Sequence, residues 1–558
     1  MKIRFAIVAL LTLTAAGSAS AQGNRAYTRA DTLRGSFNLP QRAWWDVTFY
    51  DLHVAINPPD SSISGRNGIT YTVVKPAKEM QIDLQVPLVV DSMVQDGKAL
   101  KYRRDGNAFF VALTAPQKIG SSKSLTVYYH GKPQPAKRPP WDGGYSWGKD
   151  SLGATWIVST DEGLGASVWW PNKDTEADEP DSMRIATTVP DPLVSVGNGR
   201  LRSIRNNGNG TTTYEWFSVN PINNYAINVA IGKYEHFTEL YQGERGTLTM
   251  DFWPLAYHMD AAKKQWAQAR PMMQCMEHWF GPYPWYEDGF KLIEVSNNGM
   301  EHQSAVAYGN GFANGYRGRD ASGTGYGMKW DFIIVHESAH EWFANNITFK
   351  DHADMWVHES FANYAEALYT ECLFGKQAGA EYAVGVRRGI RNDRPIEPPD
   401  RGVNASGSGD MYPKGGTMLH MIRQIVDNDE QWRGILRGLN KTFWHQTVLG
   451  SQIKDYMIKE SGKDLSKIFE QYLTTTQIPV FEYAIDGGTL TYRWANVVKG
   501  FNMPIKVRLR GEAYSWVTPS EQWQTVPFAL PSPGDFKVDV NFYVETRNTA
   551  GNTGTPRG

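Results

Sequence analysis

The spacing of apolar positions changes twice along the chain. From residue 44 to about 235 apolar and polar residues alternate, as over 47–56, 68–74 and 125–130, with turns such as Asn57-Pro58-Pro59-Asp60 between. A period of two with many β-branched residues predicts strands with one buried face. From about residue 247 apolar positions recur at spacings of three and four, over 260–280, 330–345, 355–374, 416–426 and 465–473. That period predicts amphipathic helices. After Gln477-Ile478-Pro479 the alternation returns, over 490–494, 505–509, 526–530 and 536–544. The pattern reads as a multidomain α+β protein. An all-β domain spans 36–240, a mainly helical domain 241–478, a small β-sandwich 479–546 and a frayed tail 547–558. A Gly- and Tyr-rich stretch, 307–327, interrupts the helical part, either as a loop over a cleft or as a long connection.

Ahead of the strands, Lys2 and Arg4 precede an apolar run over 5–13 and small residues ending Ala19-Ser20-Ala21. This order predicts a cleaved export signal over 1–21, and the run is shorter than the roughly 20 residues of a membrane span. No cysteine lies near the cleavage point to carry a lipid, and no later stretch is long and apolar enough to span. The expectation is an exported chain, periplasmic or secreted, with no membrane anchor once mature. Lys+Arg 57 against Asp+Glu 58 leaves no basic field to gather nucleic acid, which is excluded as a partner on that ground. Cys275 and Cys372 are too few for a disulfide framework, and read as two buried helical thiols or one bridge.

Chemistry enters at His336-Glu337-Ser338-Ala339-His340. Positions i and i+4 share a helix face, so both imidazoles reach one metal with Glu337 beside it. A catalytic zinc commonly takes three protein ligands and keeps an open position. Glu359, 19 positions after His340 in a second predicted helix, returns to the histidines if the chain folds back through 345–354. Its neighbour His358 projects about 100° away. His336, His340 and Glu359 are therefore the expected ligands of one zinc ion per chain.

The segments HESAHEW and DMWVHESFANYAE resemble the zinc signature of the aminopeptidase N family, gluzincins that include leukotriene hydrolase. Asn298-Gly299-Met300-Glu301-His302 is similar to that family's GxMEN strand, and Tyr412-Pro413-Lys414-Gly415 to its YxKG segment. Glu162, ahead of Trp169-Trp170-Pro171-Asn172-Lys173-Asp174, resembles its amine-binding acid. These patches run from 162 to 412 in family order, whereas 36–160 and 480–545 match only in strand character.

The resemblance implies a thermolysin-like catalytic domain and removal of N-terminal residues from peptides with a free N-terminus. It implies Glu337 as general base and Tyr412 as donor to the oxyanion. Glu301 and Glu162 anchor the substrate ammonium, Gly299 and Met300 line its backbone, and Glu366 orients a ligand histidine. Asn298 and His302 depart from the family, which has Gly and Asn there. The family often adds a large helical C-terminal domain, so the expectation is a short member without it and with a more open pocket. Arg387, Arg388, Arg391 and Arg394 read as a solvated basic face, or as contacts for a peptide carboxylate. Two other functions fit the scaffold: an endopeptidase or epoxide hydrolase, and a peptide-binding protein without turnover. Joint presence of Glu337, Tyr412 and the three ligands speaks against the last.

Overall fold

The computed structural model describes residues 27–550, so the export signal read over 1–21 lies outside the described residues. Trp45–Asn57 alternates buried and accessible positions, as its sequence predicts. It pairs antiparallel with Ser62–Val73 and parallel with Ser182–Pro190, within an eight-stranded sheet. The buried faces of this sheet share one core with a four-stranded sheet and with Trp44, Tyr50, Trp169 and Trp170. Ahead of these strands, Arg29–Gly35 is helical, and Gly35 lies so close to the backbone of Val403 that a Cβ would sit 2.1 Å from its carbonyl carbon.

The second unit begins with a five-stranded sheet in the order Phe237–Gly243, Gly246–Trp253, Phe290–Glu294, Val306–Tyr308, Gly299–Met300. The boundary read at 240 falls inside its first strand, so the switch between sheets comes after Gly232 and before Phe237. Phe237 decides this by stacking on Phe252 at 4.8 Å, which commits the strand to the second core. From Phe332 to Thr474 the chain is mainly helical, with the short strands Ile347–Phe349 and Gln446–Val448 paired parallel and an irregular stretch over 390–408. The predicted helix 260–280 is two helices, Met259–Trp266 and Ala269–Phe280. The restart places Pro271 in a first turn, where its missing N–H leaves no bond unmade. The predicted helix 330–345 runs only over Phe332–Ala339 and is followed by a wide turn, with non-helical backbone at Phe343 and Ala344.

The C-terminal β region forms a four-stranded and a two-stranded sheet, and its Phe481, Trp494 and Phe542 belong to the same apolar core as the helices before it. Arg547 and Asn548, read as tail, lie in Glu545–Asn548, which pairs parallel with Val480–Asp486. Arg547 holds there by donating from Nη1 to Glu482 Oε1 at 2.8 Å. Cys275 and Cys372 are bridged, S–S 2.12 Å, tying Ala269–Phe280 to Trp356–Phe374.

Candidate active site

Four elements converge: edge strand β1 (Gly299–Met300) and helices α1 (Phe332–Ala339), α2 (Trp356–Phe374) and α3 (Pro413–Val426). Asp331 starts α1 by accepting from the N–H groups of Ile333 at 3.1 Å and Ile334 at 3.4 Å. It also accepts from Tyr308 at 2.6 Å and Asn310 at 2.7 Å, which fixes the helix against the sheet. Pro413 opens α3 at the position where proline is best tolerated, leaving Tyr412 just outside it.

His336 and His340 present their Nε2 atoms to Glu359 Oε2 at 3.5 and 3.4 Å, and all three residues are buried. The outer nitrogens are already used. His336 Nδ1 donates to Glu366 Oε1 at 2.8 Å, and His340 Nδ1 to the Phe343 carbonyl at 3.0 Å. Both Nε2 lone pairs therefore face a carboxylate oxygen that is buried without a hydrogen-bond partner. Lone pairs meeting lone pairs in a dry site call for a cation, and two imidazoles with one carboxylate suit zinc. His358 is turned away, its Nε2 accepting the Phe349 N–H at 3.0 Å.

Charge around this trio is strongly negative. Burial, then the carboxylates of Glu301 and Glu359, push Glu162 well above the usual carboxylate range. Burial raises Glu337 to about 7 despite the nearby imidazoles. Burial alone would lower His340, but Glu359 outweighs it and lifts the imidazole to about 9. The carboxylates that raise this imidazole are the same charges that one dication at the site would compensate.

A cavity of about 290 Å³ opens onto these groups, lined by His336, Glu337, His340, Glu359, Tyr412, Glu162, Gly299, Met300 and Glu301, with Trp141 and Tyr316 at its sides. Tyr412 donates to Glu359 Oε1 at 2.9 Å. Gly299 passes close to Glu337: a Cβ there would lie 2.9 Å from Glu337 Oε1 and from Ile333 Cγ2. His302 lies beyond the cavity wall, fully buried, with Nδ1 accepting from Asn228 Nδ2 at 2.8 Å. Burial lowers its pKa to about 3, so it stays neutral. The arginines before Pro395 mostly serve structure: Arg387 donates to the carbonyls of Val540 and Asn541, Arg388 to Asp320 and Ala321, and Arg394 to Gly407.

Three neighbours of the site were not foreseen, and two of them carry no sequence signal. The Tyr225 hydroxyl, from the N-terminal domain, donates to Glu301 Oε1 at 3.2 Å. Tyr382 donates to Glu366 Oε2 at 2.7 Å. Asn363, three positions before Glu366, donates to its other oxygen at 3.1 Å, and helical spacing alone would have nominated that pair.

Fold and site together present a candidate metal site of two histidines and one glutamate at the floor of a cavity. Residues 266–472 match the model of the Peptidase family M1 domain. Among the similar solved structures is an M1 zinc metallopeptidase from Deinococcus radiodurans, 22% identical with a TM-score of 0.67, covering 80% of this chain and 98% of that one. Tricorn protease-interacting factor F2 of Thermoplasma volcanium is 24% identical over 60% of this chain and 43% of its own length. Probable aminopeptidase 1 of Sulfurisphaera tokodaii is 21% identical over 74% of this chain and 52% of its own length. The chain thus spans about half the length of the curated relatives it matches.

Proposed function

We propose that the protein is an exported zinc aminopeptidase that removes N-terminal residues from peptides. The observation that carries the reading is one cavity with the histidine and glutamate donors on one side and Glu162 and Glu301 beside them. Zinc held by His336, His340 and Glu359 would supply Lewis acidity and acidify water at the site. Glu337, buried beside the ligand histidines and lining the cavity, takes the proton of the attacking water and passes it to the leaving amine. Tyr412 stands beside the ligands, where its phenol meets the oxyanion as charge develops. Glu162 and Glu301 pair with the substrate ammonium, and a blocked N-terminus forfeits that pairing. Glu366 holds His336 in the tautomer that leaves Nε2 free. The name of the Sulfurisphaera relative agrees with this activity. Export rests on the 1–21 pattern, and no helix among the described residues is long and apolar enough to cross a membrane.

The test compares fluorogenic aminoacyl amides having a free α-amine with their acetylated forms, with and without chelator and zinc add-back. Cleavage restricted to the free-amine set, lost on chelation and in Glu337→Ala, supports the reading. Equal cleavage of acetylated compounds would point to an endopeptidase and remove the anchor role of Glu162 and Glu301. Metal analysis of the active protein checks for one zinc per chain, and N-terminal sequencing of the protein recovered outside the cytoplasm checks the export signal.

A further inference from the structure

We infer that Arg317 receives the terminal carboxylate of short peptides, which makes tripeptides with a free C-terminus favoured substrates; the inference rests on the aminopeptidase reading above. Strand β1 is the edge of its sheet among the described residues, so an extended peptide can pair along it. Glu301 follows β1, and Gly299 lies against Glu337. A peptide with its ammonium at Glu301 and its scissile bond beside Glu337 therefore runs antiparallel to β1 and leads toward Asn298. The step from 301 to 298 covers about 10 Å at about 3.3 Å per strand residue. An extended tripeptide has about that length.

A cation is fixed at this end of the path. Asn298, which lines the cavity, accepts from Arg317 Nη1 at 2.6 Å and donates to the Tyr316 hydroxyl at 2.9 Å. The Arg317 N–H donates to Asn310 Oδ1 at 2.7 Å, and Asn310 is itself bonded to Asp331 at the start of α1. Arg317 is exposed and has no carboxylate partner among the described ion pairs. The guanidinium is thus held by Asn298 and the backbone of the same residue by Asn310, with the charge uncompensated. Glycine, the usual family residue at position 298, offers no side chain to hold it. Tyr316 and Ala321 of the Gly- and Tyr-rich stretch line the cavity, and Asn298 bonds to Tyr316 and Arg317 of the same stretch. A free carboxylate arriving at the rim meets a preorganised arginine, whereas an amide brings no charge.

The experiment measures kcat/KM of the zinc-loaded full chain for Leu-Gly-Gly and for its C-terminal amide, then repeats it with Arg317→Met and Asn298→Gly. The native protein should prefer the acid by about fivefold, the upper range for a solvent-exposed ion pair. Arg317→Met should bring the ratio to about one, and Asn298→Gly should lower it in the same direction by releasing the guanidinium. Added salt should shrink the ratio in the native protein. A ratio near one in the native protein, or a native-like ratio in Arg317→Met, would overturn the inference. Absence of turnover on every free-amine compound would overturn the aminopeptidase reading with it, whereas turnover with a flat ratio overturns this inference alone.

Discussion

Gly299→Ala tests the geometry of the base most sharply. The added methyl would lie 2.9 Å from Glu337 Oε1, 2.9 Å from Ile333 Cγ2 and 3.2 Å from Glu337 Cγ. Comfortable heavy-atom contacts fall near about 3.5 Å, so both side chains must withdraw by about half an ångström or β1 must move outward. Ile333 is buried in the first turn of α1, while the Glu337 carboxylate is the free end of its side chain, so Glu337 gives more readily. Overpacking of this size costs folding about 1 kcal/mol. The cost to catalysis is larger, because misplacing a reacting group by about 1 Å forfeits about a hundredfold in rate. A drop in kcat of about tenfold to a hundredfold is expected, with KM little changed and full metal content retained. Steady-state kinetics on an aminoacyl amide, metal analysis and thermal unfolding of the same preparation read all three quantities. Activity within about twofold of native at full metal loading would refute the placement of Glu337 as the proton carrier.

Three further outcomes follow from the structure. Glu366→Gln should weaken zinc binding by about 10- to 100-fold, because His336 loses the carboxylate accepting from its Nδ1, and competition with a chelator measures this. Opening the Cys275–Cys372 bridge, which closes a 97-residue separation, should cost about 2–5 kcal/mol, read as a lower urea midpoint for the doubly serine-substituted chain. An unchanged midpoint would mean that the bridge does not form in solution. His302, His420 and His445 are held neutral by burial, at about 3, 4 and 4 against an ordinary 6.5. Below pH 6.5 the unfolded chain takes up protons that the folded chain refuses, so stability is full above that pH and falls as acid approaches these lowered values. Urea midpoints across this range should show a shallower acid decline in His302→Gln than in the native chain.

Much of the site could be read before the fold was known, because its chemistry is local. The five residues from His336 to His340 put two imidazoles on one helix face whatever surrounds them. A one-position step along a helix separates His358 from Glu359, and the structure spends the former on a backbone N–H. The β region was equally legible where strands keep one wet face. Helix ends were less so: 330–345 is apolar at helical spacing throughout, but the chain breaks after His340, where Phe343 must turn its carbonyl onto the histidine. Nor does spacing reveal why Gly299 is glycine, since Glu337 and Ile333 reach it from another element.

By itself the sequence determined the alternation of β, helical and β regions, the candidate metal-binding triplet and the glutamate beside it. Each is a matter of periodicity or of residues a few turns apart, and backbone geometry ties these to a direction in space. Only the tertiary structure decided that Tyr225 from one domain holds Glu301 of the other, that Tyr382 braces Glu366, and that Asn298 holds Arg317. Such contacts join residues by proximity across packed elements, and no regular spacing along the chain encodes them.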